Sequence, residues 1–129
     1  MENNKILDEI SILPLLKASE TFEKVMDMDF NEEIRDSAIK RFEYSFELVW
    51  KILKKILTIK GIEVNNPRDT FRESAINGFV EDPEKWFYFL KMRNLTSHCY
   101  NEELSQEVYL TLPKFRIELR KVIERIKKL

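Results

Sequence analysis

Apolar residues recur along the chain at steps of three and four, and no segment alternates apolar with polar positions as a half-buried strand does. The clearest run is Ala38, Phe42, Phe46, Val49, Leu53 and Ile56, which a helical period keeps on one face. Asn31 ahead of Glu32 and Glu33 supplies a cap and an acidic first turn. Gly61, after Lys54, Lys55 and Lys60, supplies a left-handed stop behind a basic last turn. The pattern predicts one long helix over residues 32–60. A second stripe, Ile39, Leu48, Trp50, Ile52, Leu57 and Ile59, widens the apolar surface beyond what one neighbour covers. Such a helix is either central to a bundle or faces a second subunit.

The other elements carry similar punctuation. Asn66-Pro67-Arg68-Asp69 reads as a cap, a first-turn proline and an acid, and Asn77-Gly78 closes that short helix. Asp82-Pro83-Glu84 opens a helix with Trp86, Phe87, Phe89, Leu90 and Met92, and Asn101-Glu102-Glu103 opens the last one. Leu104, Val108, Leu112, Phe115, Leu119, Val122 and Ile126 form its apolar face, with Pro113 expected to kink or interrupt it near Tyr109. An N-terminal helix is expected over residues 12–27, with Pro14 in its first turn and Leu16, Phe22, Val25 and Met26 buried. The fold class is therefore all-α: an antiparallel up-and-down four-helix bundle with one short extra helix, a single domain over residues 1–129.

Composition narrows the function. A net charge of −1 argues against a strongly cationic nucleic-acid binder, so any contact with RNA must be local. One cysteine excludes an internal disulfide and a cysteine-built zinc site. No metal or cofactor is implied, and with no apolar run of membrane-spanning length or signal peptide the expected location is cytoplasmic. The basic tail, with Arg120, Lys121, Arg125, Lys127 and Lys128 offset by Glu118 and Glu124, reads as an exposed face.

The chemistry concentrates in Arg93-Asn94-Leu95-Thr96-Ser97-His98-Cys99-Tyr100. His98, the only histidine, can accept and return a proton near neutral pH, and Arg93 can hold a phosphate with two parallel hydrogen bonds. The pairing suits phosphodiester chemistry. On a straight helix, however, residues five apart diverge by about 140°, so either the helix frays before His98 or the pair meets across subunits. Asn94 shares a face with His98 and can orient its imidazole. Thr96 and Ser97 are expected to satisfy backbone groups, and Cys99 to diverge from His98. Glu43 and Glu47 pair with Lys40, Arg41 or Lys51, or reach Arg93, with Glu43 the more interesting of the two. The plain alternative makes Arg93 a surface ion-pair partner and His98 a polar helix end.

Residues 41–51, the Asn66-Pro67-Arg68-Asp69 helix start and residues 93–102 together resemble the nucleotidyltransferase substrate-binding protein family, itself similar to the HEPN superfamily of helical bundles that includes the HepT toxins. The resemblance implies a HEPN-like bundle that forms a dimer or higher homo-oligomer and partners a separately encoded minimal nucleotidyltransferase, with RNA or a nucleotide as a further ligand. It also implies a pattern of Arg, a spacer, His and then Tyr, matched by Arg93, His98 and Tyr100. In the toxin branch such a partner modifies the motif tyrosine, which the resemblance places at Tyr100. Three readings follow: an accessory subunit of a nucleotidyltransferase in a toxin–antitoxin-like pair, a metal-independent ribonuclease using Arg93 and His98 and silenced at Tyr100, or a bundle serving assembly alone.

Overall fold

The structure, a computed structural model, describes residues 10–129. Residues 1–9 of the expected domain lie outside the described part. The described residues form five α-helices and one 3₁₀ turn: α1 (Leu13–Met26), α2 (Glu32–Ile59), α3 (Pro67–Ile76), α4 (Pro83–Leu95), the turn Thr96–His98, and α5 (Glu102–Lys127). Four are the principal helices and α3 is the short extra one. None is long and apolar enough to cross a membrane.

The predicted starts form through the predicted atoms. Asn31 Oδ1 accepts from the Ile34 N–H at 2.8 Å, Asn66 Oδ1 from the Asp69 N–H at 2.9 Å, and Asp82 Oδ1 from the Glu84 N–H at 2.9 Å. Asn101 Oδ1 takes the N–H groups of Glu103 and Leu104 at 2.9 and 3.3 Å. Each bond satisfies a donor that a helix start leaves without an internal partner. Gly61 and Gly78 close α2 and α3 at φ of 83° and 82°, where a Cβ would be strained. Helix α2 stops at Ile59, so Lys54 and Lys55 lie one turn earlier than the expected basic end.

The wide apolar surface of α2 is explained largely within one chain. This helix packs against α1, α3, α4 and α5, and its second stripe buries Ile39, Ile52 and Leu57, while Leu48 and Trp50 are half-buried. At the centre Phe115 meets Phe42, Phe89, Phe22 and Trp86 edge-on, with ring centroids 4.7, 5.3, 5.5 and 5.9 Å away. These edge-to-face contacts bring the positive rim of one ring to the negative face of another.

Two expectations need correction. Pro113 does not interrupt α5, which runs unbroken from Glu102 to Lys127. Proline removes one backbone donor, and fully buried Leu112 and Phe115 on either side hold the helix against the core. The tail is not simply a solvated face. Arg116 and Arg120 both donate to Glu23 of α1, at 2.7 and 2.5 Å. Glu118 is buried and takes Lys85 of α4 at 3.6 Å and Lys121 at 3.3 Å.

Candidate functional site

The motif occupies the corner between α4 and α5. Thr96 Oγ1 donates to the Arg93 carbonyl at 2.6 Å and Ser97 Oγ to the Asn94 carbonyl at 3.1 Å, so both hydroxyls serve the backbone. The helix tightens into the 3₁₀ turn, and the Asn101 N–H donates to the His98 carbonyl at 3.1 Å. The corner is then tied down from two sides. Ser105 Oγ donates to the Cys99 carbonyl at 2.8 Å, and the buried Arg35 of α2 grips both carboxylate oxygens of Glu102 while its Nε reaches Asp36 at 3.1 Å. That two-pronged contact holds the Glu102 carboxyl below its ordinary value against a smaller effect of burial. Arg35 was absent from the sequence-level candidates, because a charged residue in a helix's first turn gives no signal that it is buried.

Arg93 and His98 point to different surroundings. Arg93 Nε donates to Glu47 Oε1 at 2.9 Å, and Glu47 Oε2 accepts from the indole N–H of Trp50 at 3.1 Å. Glu47, not Glu43, is therefore the acid that reaches Arg93. Glu43 instead pairs with Lys40 at 3.7 Å and borders a small crevice with Asp36, Ile39 and Cys99. The Cys99 thiol, turned into that crevice, is pushed up by burial. His98 is exposed on another side and borders an open groove of about 710 Å³ with Asn94, Lys91, Phe87 and Arg68. Among the described residues no hydrogen bond joins Arg93 to His98 or holds the imidazole.

Tyr100 is 89% exposed, the highest value among the large apolar and aromatic side chains of the described residues, and its ring centroid lies 6.3 Å from that of His98. One chain thus brings His98, Asn94 and Tyr100 to one corner and holds Arg93 on Glu47. The groove's outer wall escaped sequence reasoning. Arg68 of α3 lies over the Phe87 ring of α4 at 4.6 Å, a contact between two helices with no trace in local spacing.

Comparison with known proteins agrees with this architecture. A protein of Haemophilus influenzae described as probable ribonuclease HepT is 33% identical over 95 residues, 70% of this chain, and the match spans 65% of that relative's length. Among solved structures, a Thermus thermophilus protein superposes with a TM-score of 0.80 at 30% identity, covering 87% of this chain and 98% of that one. An H. influenzae protein whose structure is described as revealing the fold of a substrate binding domain of a nucleotidyltransferase has the same TM-score at 28% identity, covering 88% and 96%. Residues 11–128 match the family described as nucleotidyltransferase substrate binding protein like, and the chain belongs to that family.

Proposed function

We propose that this chain is the accessory subunit of a separately encoded minimal nucleotidyltransferase, in a toxin–antitoxin-like pair, and that Tyr100 is the group it presents. The exposure of Tyr100 carries the reading: a phenol stands in solvent on a corner fixed by the Arg35–Glu102 and Ser105–Cys99 contacts. A solvated hydroxyl on a pinned corner suits delivery to another protein's active site, because little backbone freedom has to be lost on docking. In the transfer, the Tyr100 oxygen attacks the α-phosphorus of a nucleoside triphosphate, pyrophosphate leaves, and the phenolic proton passes to a base of the transferase. The pair is tested by co-elution of the two purified proteins. Elution as separate species at low salt, where charge complementarity is least screened, counts against it.

The exposed imidazole beside a cationic groove, together with the likeness to a probable ribonuclease, favours a second reading, metal-independent RNA cleavage. Here His98 takes the proton of a ribose 2′-hydroxyl, the freed oxygen attacks the adjacent phosphorus, and the 5′-oxygen leaves as a hydroxyl, protonated by water, with a cyclic phosphate behind. Arg93 stabilises the charge that builds on the phosphorane, and Asn94 orients the imidazole. Because Arg93 is held by Glu47 within one chain, this chemistry takes the arginine from a second copy or after release from Glu47, and a homo-oligomer supplies the former. His98→Ala abolishes cleavage in this reading; equal RNA degradation by wild type and His98→Ala removes it.

A further inference from the structure

We propose that the groove between α3 and α4 is a docking subsite for single-stranded RNA, in which Arg68 grips a phosphate beside the His98 corner. The proposal rests on the ribonuclease reading and adds to it a recognition site on residues outside the motif.

Arg68 is exposed, and its guanidinium lies over the Phe87 ring at 4.6 Å. The ring holds the cation in place without neutralising it, leaving the N–H edges free to donate in parallel to phosphate oxygens. The neighbouring acid is already engaged: Asp69 accepts from Arg72 at 2.8 Å and from Asn66 at 3.0 Å. Across the groove, Lys91 of α4 is exposed and has no ion-pair partner among the described residues. Two cations thus face one carboxylate, Glu84, in a groove on a chain whose net charge is −1. A local positive site on a near-neutral protein is what short-range phosphate recognition requires.

The aromatic and polar components point to RNA rather than to an acidic peptide. Tyr88, 42% exposed, lines the same groove beside the cations, and an exposed aromatic ring is the group on which a base stacks. A duplex hides its base faces, so the strand must be single. The groove also opens onto His98 and Asn94, so a phosphate held by Arg68 leads the chain toward the imidazole. Its volume of about 710 Å³ is ample for a nucleotide.

The test separates binding from cleavage. A labelled single-stranded 12-mer with methylated 2′-hydroxyls cannot be cleaved by this chemistry, and its binding is followed by fluorescence anisotropy against salt. Arg68→Ala and Lys91→Ala each weaken binding about 5- to 20-fold and lower the salt slope by about 0.7, the loss of one phosphate contact. Arg68→Lys recovers only part of the loss, since an ammonium lacks the fork. Lys55→Ala, which removes an exposed cation of α2 outside the groove, changes affinity less than 2-fold. The proposal is overturned if the strand does not bind, if Lys55→Ala costs as much as Arg68→Ala, or if the duplex or polyglutamate binds as tightly. His98-dependent cleavage of ordinary RNA with binding insensitive to Arg68 sinks the subsite alone. Arg68-dependent binding without cleavage sinks the ribonuclease reading alone.

Discussion

Removing Glu47 should loosen Arg93, and a double-mutant cycle with Glu47→Ala and Arg93→Ala isolates that contact from the packing each side chain also provides. The two side chains are 32% and 29% exposed and bond at 2.9 Å. A charge-assisted hydrogen bond contributes roughly 1.5–3 kcal/mol when sequestered, while an exposed ion pair contributes about 0.2–1 kcal/mol. Partial exposure places this pair between them, at about 1 kcal/mol of coupling. An unfolding entropy of about 2.1 cal/mol/K per residue gives about 0.27 kcal/mol/K for 129 residues, so the coupling corresponds to about 4 °C. Thermal unfolding of wild type, both single variants and the double variant should show the double losing about 4 °C less than the sum of the singles. Additivity within about 0.3 kcal/mol would refute the assignment of Glu47 as the residue that positions Arg93.

The core and the interhelical ion pairs give further expectations. Phe115→Ala, which opens a cavity facing four aromatic rings, should cost about 3–5 kcal/mol in guanidinium unfolding, and a loss under about 2 kcal/mol would contradict its central place. Burial pushes the Glu23 carboxyl up, but hydrogen bonds from Arg120 and Arg116 outweigh it and hold the group below its ordinary value of 4.5. The lowered folded value means that its contribution is present above that pH and fades as pH falls through the folded pKa, so Glu23→Gln should flatten the acid limb of the stability profile. An unchanged acid slope would assign no role to the pair. Asn66→Ala should lower stability by about 1 kcal/mol through loss of the α3 cap, and should do so equally at low and high salt.

The helix starts were legible because each depends on atoms a few residues apart: Asn31, Asn66, Asp82 and Asn101 all cap as their spacing predicts. The heptad-like apolar faces of α2 and α5 were legible for the same reason. The interruption expected at Pro113 does not occur because a proline's local effect is fixed while the packing that overrides it is not local. The site was legible in composition and not in arrangement. Arg93 and His98 are found in sequence, but which acid holds Arg93 depends on the rotation of α2 against α4, and that rotation selects Glu47 over Glu43. The pairing of Arg68 with Phe87, and of Arg35 with Glu102, likewise depends on how separate helices are placed against one another.

The most direct measurement is intact-mass analysis of this chain after incubation with the partner nucleotidyltransferase, magnesium and a nucleoside triphosphate. Wild-type protein should gain the mass of one or more nucleoside monophosphates, with the first on Tyr100, and Tyr100→Phe should gain none while still co-eluting with the transferase. Equal labelling of Tyr100→Phe, or no labelling of a wild-type chain that co-elutes with an active transferase, would contradict the role given to this exposed corner.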